Sequence, residues 1–382
     1  MIYLDYAATS GRKPDQVYTA VDQAMRERSG NPGRSGHKLS LAAGEKVAEA
    51  RFLCSRLFNA ESSETIAFGF NTTEALNLGI LGIVKPGDHV ITSSLEHNSV
   101  ARPLEHLKDE GAEVTKINAD LEKGVDPDEV EAAIKDNTRL VVMTHISNVT
   151  GTVNDVAAIG EICRRHGVTF LVDAAQSAGA RPIDVQAMKI DMLAFPGHKC
   201  LLGPQGTGGL YINPNVDLKP LITGGTGTQS ELLHQPLSRP ERYESGTLNV
   251  PGLAGLAAGV DFIMKTGIDV IQEKERSLIS RLLDGILPYD NIKIYGSVSA
   301  DDRAPVLSLT IAGYEPQDIS IYLDQIFDIG VRSGLHCAPY AHEAIGTLNT
   351  GGTVRISPGY FTTEEEIDAC IEALGIIARG EI

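Results

Sequence analysis

Four short stretches carry side chains whose types and spacing could do chemistry together. Phe195-Pro196-Gly197-His198-Lys199 places a lysine after a buried apolar run and before the glycine-rich turn Gly203–Gly209. An amine attacks a carbonyl only when neutral, and partial burial lowers a lysine pKa towards that state. Lys199 could therefore form a Schiff base. Val172-Asp173-Ala174-Ala175-Gln176 ends an apolar run on a carboxylate, which is costly there without a cation. The protonated ring nitrogen of pyridoxal phosphate is such a cation, and an aspartate partner keeps it protonated. Gly69-Phe70-Asn71-Thr72-Thr73-Glu74-Ala75 sets a glycine and hydroxyls ahead of a helical run, an arrangement whose N–H groups suit phosphate. Glu96-His97-Asn98 follows a strand, so that the imidazole could stack on a ring. Each also has a plain structural reading: a solvated loop lysine, helix caps at Asp173 and Asn71, and a structural histidine.

A fifth stretch adds a thiol. The cysteines are Cys54, Cys163, Cys200, Cys337 and Cys370, odd in number and widely spaced, with no C-x-x-C pair. Neither a disulfide framework nor a metal site is expected, and a reducing cytoplasm fits best. Cys54, Cys163 and Cys370 fall in helical patterns and read as small apolar core residues, and Cys200 as a packing residue. Cys337 differs. It lies in Arg332-Ser333-Gly334-Leu335-His336-Cys337-Ala338-Pro339, beside an imidazole and a guanidinium that would favour its thiolate.

Elements must hold these groups in place. Apolar runs at 89–94, 139–146, 169–175 and 192–196 read as buried strands. Between them 100–110, 127–136 and 155–166 read as helices, the last starting at Asn154-Asp155 and ending at Gly167. Strand–helix alternation with apolar strands predicts a mostly parallel sheet covered on both faces, with ligands at the carboxyl ends of its strands. Beyond about residue 250 the pattern becomes α+β: helices over 253–264 and 270–287, strands at 305–311 and 353–356, and a helix near 316–327. Gly203–Gly209 leads into a strand at 210–212, so it fits no P-loop or dinucleotide fingerprint.

Composition narrows the function. The 382 residues carry a formal net charge of −17, so nucleic acid and anionic membrane are disfavoured as partners. No apolar run reaches the roughly 18–20 residues of a membrane span. The start, MIYLDYAATS, lacks signal-peptide features.

Taken in order, these motifs resemble the class V aminotransferase branch of fold-type I pyridoxal-phosphate enzymes. More narrowly the chain is similar to cysteine desulfurases of the group II, selenocysteine-lyase-like form. The likeness runs from Leu4-Asp5-Tyr6-Ala7-Ala8-Thr9 to Arg355 in Thr353-Val354-Arg355-Ile356-Ser357. It implies an α/β fold: a large domain on a mostly parallel seven-stranded sheet and a smaller α+β C-terminal domain. It divides the chain into an arm over 1–15 that packs with the small domain, a large domain over 16–255 and a small one over 256–382. It implies pyridoxal 5'-phosphate held by Thr72, Thr73, His97, Asn148, Asp173, Gln176, His198 and Lys199. Thr247 would reach the phosphate of the neighbouring subunit of a homodimer. Lys199 would carry the cofactor covalently, Asp173 would pair with its ring nitrogen, Gln176 would touch its ring hydroxyl, and His97 would stack on it and move protons. Asn148, Arg332 and Arg355 would bind substrate, Arg355 through a bidentate grip on the carboxylate. Lys199, His97 and Cys337 would be catalytic. The implied sulfurtransferase reaction turns L-cysteine into L-alanine and leaves a persulfide on Cys337 for a sulfur-acceptor protein. Selenocysteine lyase, cysteine or cystine β-lyase and class V aminotransferase are the alternatives. Two residues depart from the family pattern: Pro196 stands where a phosphate-binding serine is usual, and Leu335 where a histidine is usual.

Overall fold

The computed structural model describes residues 1–33 and 35–382. Its main sheet has seven strands in the order Ile66–Gly69, Gly208–Ile212, Met192–Pro196, Thr169–Asp173, Thr138–Thr144, His89–Ser93, Glu113–Ile117. Gly208–Ile212 runs antiparallel to both neighbours, and the remaining pairings are parallel. Alternation between two covered faces explains the unbroken apolar runs inside the inner strands. Phe170 and Val172 face one core while Leu171 faces the other, and Val141 and Met143 oppose Leu140 and Val142 in the same way. Helices Thr72–Leu81 and Asn98–Asp109 cover one face, and Lys38–Leu57, Val156–His166 and Val250–Thr266 the other. The helix from Val156 starts on the Asp155 side chain, which accepts from the Ala158 N–H, and stops at Gly167 in a left-handed conformation.

Parallel strands share one polarity, so their carboxyl ends lie on one edge. Register aligns Thr144 with Asp173 and Asp173 with Ala194. The segments that begin at Glu96, His145, Ala174 and Gly197 therefore emerge side by side, as expected of such a sheet.

A second sheet is antiparallel, ordered Arg332–Gly334, Thr353–Ile356, Leu307–Ile311, Ile292–Tyr295. Helices Ile268–Ile286, Pro316–Gln325 and Glu364–Ala378 close a separate core over it. The N-terminal arm joins this unit: Ile2–Tyr3 pairs with Ile329–Gly330, and Leu4 is buried in the second core. Position 255 falls inside the helix Val250–Thr266, which buries Val250, Leu253, Leu256, Ala257, Val260 and Ile263 in the core of the large sheet. Two strands of the main sheet lay outside the sequence expectation. Glu113–Ile117 is a half-exposed edge strand, and Ile66–Gly69 is only four residues long.

Candidate active site

The floor of the site is built by the ends of two adjacent strands. Asp173 closes its strand, is 2% exposed, and accepts the Ala175 N–H at Oδ1 (2.9 Å). Its Oδ2 has no protein partner among the described residues, and burial raises the carboxyl pKa. Lys199 lies in the turn after the next strand. Burial, opposed by the Asp173 charge and assisted by Arg355 and Arg332, pushes its amine down to about 8. A substantial share of Lys199 is thus neutral near pH 7.5. Gln176 donates from Nε2 to Ala7 O (2.9 Å), which ties the floor to the N-terminal arm.

Facing walls hold the imidazoles and hydroxyls. His97 caps the helix Asn98–Asp109, accepting the Ser99 N–H at Nδ1 (3.1 Å), so its ring proton sits on Nε2. Burial, then the charges of Lys199 and Arg332, lowers its pKa to about 4, and the ring is a neutral, flat surface. Ser99 Oγ links His97 Nδ1 (2.9 Å) to Thr73 Oγ1 (2.8 Å). Thr72 and Thr73 open the helix Thr72–Leu81. Its cap, Asn71, serves the Glu74 N–H and leaves those of Thr72 and Thr73 without helical partners. His198 is clamped by the arm: its carbonyl accepts from Ser10 N–H and from the Thr9 and Ser10 hydroxyls, and its Nδ1 meets Thr9 Oγ1 at 3.0 Å. Its pKa also falls to about 4, chiefly through burial.

One cavity of about 180 Å³ collects Thr72, Thr73, His97, Asn148, Asp173, Gln176, His198 and Lys199. Pyridoxal phosphate fits this donor set. A buried carboxylate with a free oxygen awaits a cation, a partly neutral lysine stands opposite, a flat neutral ring forms one wall, and a helix start offers N–H groups to phosphate. Pro196 is buried at its strand end, paired with Gly208. It supplies no donor, so phosphate would rest on Thr72, Thr73 and His198.

The small unit supplies the opposite rim. Arg355 is 1% exposed, pairs with Asp5 Oδ1 (2.7 Å) and donates from Nη1 to Asn148 O (3.1 Å). Asn148 Nδ2 donates to the carbonyl of His336 (2.8 Å), joining the rim to the thiol loop. Cys337 is exposed, and Arg332 Nη2 donates to its Sγ at 3.3 Å. Cys54, Cys163 and Cys370 are buried and pushed up to about 12, as is Cys200, by burial first of all.

Comparison with known proteins gives the family of the chain. The family model "Aminotransferase class-V" matches residues 2–370. The chain belongs to the class V aminotransferase family. A "Probable cysteine desulfurase" of Methanothermobacter thermautotrophicus is 40% identical over 99% of this chain and 94% of that relative. "Cysteine desulfurase IscS" of Vibrio cholerae is 36% identical over 98% of this chain and 92% of its own length. The apo structure of a cysteine desulfurase from Thermococcus onnurineus NA1 superimposes with a TM-score of 0.93, at 34% identity over 99% of this chain and 95% of that one. The fold is thus that of the fold-type I enzymes.

Thr247 stands apart from this class V site within the chain. It is exposed, beside Phe70, Leu221 and Ile222 in a second groove. Two functional groups escaped the sequence reading. Asp5 holds Arg355 across most of the chain, and its only signal was its place in Leu4-Asp5-Tyr6-Ala7-Ala8-Thr9. Glu96 is fully buried, with Oε1 accepting from Ser93 Oγ (2.5 Å) and Thr144 N–H (3.0 Å) while Oε2 lacks a hydrogen-bond partner among the described residues. Burial pushes its carboxyl up to about 8, so it is mostly neutral near pH 7.

Proposed function

We propose that this protein is a pyridoxal-phosphate-dependent cysteine desulfurase of the group II form, converting L-cysteine to L-alanine and taking the sulfur onto Cys337. The observation that carries this reading is the join between thiol and cavity. Cys337, touched by Arg332, is hydrogen-bonded through its own carbonyl to the first residue after His97.

When bound, pyridoxal phosphate supplies an electron sink for charge developing at the substrate Cα. Asp173 would hold the positive ring nitrogen, His97 would cover the ring face, and Gln176 would meet the ring hydroxyl. Thr72, Thr73 and His198 would hold the phosphate. Arg355 keeps N–H groups beyond those given to Asp5 and Asn148, and these grip the substrate carboxylate. Lys199 Nζ, pushed down to about 8, anchors the cofactor and is placed to take and return the Cα proton. The Cys337 sulfur then attacks the substrate sulfur. An S–S bond forms, the Cβ–S bond breaks, and its electron pair stays on Cβ, which takes a proton to become the alanine methyl group.

Purified holoenzyme incubated with cysteine, with and without a thiol reductant, tests this. Alanine equimolar with sulfur, a persulfide on Cys337, and loss of turnover in Cys337→Ala are expected. Pyruvate and sulfide with turnover kept in Cys337→Ala would instead mean a β-lyase. A keto acid with the amine form of the cofactor would mean transamination. Comparing selenocysteine with cysteine as substrate decides the lyase alternative.

The exposed apolar groups Phe70, Leu221, Ile222, Leu232, Leu233 and Leu237 support a homodimer in which Thr247 serves the partner's phosphate site. Light scattering should give twice the chain mass. The two separate cores support a large and a small domain, divided at Gly267 so that the helix Val250–Thr266 stays whole. No helix among the described residues is long and apolar enough to cross a membrane, and the five cysteines are free, which suits the cytoplasm. A sulfur-acceptor protein would meet the exposed Cys337.

A further inference from the structure

We propose that the backbone N–H of Asn98 and the side-chain amide of Asn148 are positioning groups that hold the Cys337 loop in its reactive place. This inference rests on Cys337 being the sulfur-accepting thiol. His336 and Cys337 have φ of 49° and 58°, following Gly334 at 102°. Two consecutive non-glycine residues in the left-handed region form a conformation that a free loop rarely keeps. It persists only where surrounding contacts impose it. The structure shows those contacts. The Cys337 carbonyl accepts the Asn98 N–H at 2.7 Å, and the His336 carbonyl accepts Asn148 Nδ2 at 2.8 Å. A local turn, Ala338 N–H to Leu335 O at 2.9 Å, completes the bend.

The Asn98 bond is available because of where Asn98 sits. It is the first residue of the helix Asn98–Asp109, and its N–H has no acceptor within the helix. The His97 cap serves Ser99 instead. One helix start therefore presents the His97 ring to the cavity and pins the thiol loop. The separation between ring wall and sulfur is set across a single peptide. The Asn98 side chain makes no hydrogen bond among the described residues, so the backbone alone carries the tether.

That allows a test confined to this contact. Proline is tolerated at the first position of a helix; it lacks the N–H, and its ring Cδ stands where that hydrogen met the Cys337 carbonyl, so the bond is lost and the loop is pushed away. His97, at φ −72° and ψ 158°, already has the backbone that a residue before proline prefers. In the holoenzyme, Asn98→Pro should lower kcat for alanine formation by about tenfold to a hundredfold. KM for cysteine, cofactor absorbance and Tm should stay near wild type, while amide hydrogen exchange over 334–339 accelerates about tenfold or more. Asn98→Ala keeps the N–H and should match wild type throughout. Asn98→Pro with wild-type kcat and loop exchange would overturn the proposal. Should that variant fold poorly, amide exchange at Asn98 in the unmodified holoenzyme decides. Protection of about a hundredfold supports the tether, and free exchange defeats it. An active Cys337→Ala would instead sink the reading of Cys337, whereas an inactive Cys337→Ala beside an unaffected Asn98→Pro would sink the tether alone.

Discussion

The cofactor half and the thiol half of the site are built in different ways. Asp173, Lys199 and His97 sit at or just beyond the ends of buried strands, where register fixes their spacing. Cys337 sits on a bend of left-handed residues at the surface, held by two bonds to the other half. The difference teaches that topology can place a cofactor, whereas a nucleophile that must meet substrate and acceptor is hung on contacts that can be removed singly.

The largest effect should come from the cofactor half. Lys199→Ala should lower turnover by about a thousandfold or more, measured as alanine release at saturating cysteine. Its pH dependence sharpens the point. Because the Lys199 amine is pushed down to about 8, cofactor loading into apoenzyme should quicken as pH rises through that value and level off above it. A loading rate flat between pH 7 and 9 would refute the burial argument.

The thiol half should separate cleanly from it. Cys337→Ala should keep the cofactor absorbance and Tm of wild type while alanine formation from cysteine falls about a hundredfold or more. Loss of cofactor in that variant would mean that the two halves are not independent.

The same contrast decides what could be read from the sequence. Strands ending at Asp173 and Pro196 were legible because both sheet faces are covered and the residues that lead up to these ends, 170–172 and 192–195, form unbroken apolar runs. The edge strand Glu113–Ile117 was not, since its charged and half-exposed residues show no apolar run. Lys199, Asp173 and His97 were legible as motifs on strand ends. Asn148 was legible as a site residue, but its amide reaches the His336 carbonyl, a contact 188 residues away that no local pattern announces. Asp5 escaped for the same reason, 350 residues from Arg355. Nothing in Leu335-His336-Cys337 signals a left-handed bend, since none of the three is glycine.

Between the halves runs the rim, where effects should be smaller and confined to binding. Arg355→Lys should raise KM for cysteine about tenfold to a hundredfold with a lesser change in kcat, because an ammonium cannot make the forked contact. Asp5→Asn keeps the size of the side chain but removes the charge that orients Arg355. A rise of about fivefold in KM is expected. If both variants change kcat alone, Arg355 does not hold the substrate carboxylate.

The smallest effect lies at the seam behind Lys199. Glu275, on the helix Ile268–Ile286, is 5% exposed and shares a cavity of about 30 Å³ with Lys199, Cys200, Gln176 and Tyr6. Burial pushes its carboxyl up to about 8, with Arg181 the one charge that opposes the shift. The folded protein therefore keeps a proton that the unfolded chain releases at the ordinary carboxylate value. Between about 4.5 and 8 the unfolded state binds fewer protons, so this group's contribution to stability falls as pH rises through that window. Glutamine at this position holds no such proton and should remove the slope. Relative to wild type, Glu275→Gln should gain a few degrees in Tm (about 2–4 °C) between pH 5 and pH 8, as followed by calorimetry. Every other titrating group is common to both proteins and cancels in the difference. A difference in Tm that does not change with pH would mean that Glu275 stays ionised through a water-filled path to Arg181. The seam would then be a wet joint between the halves rather than a dry one.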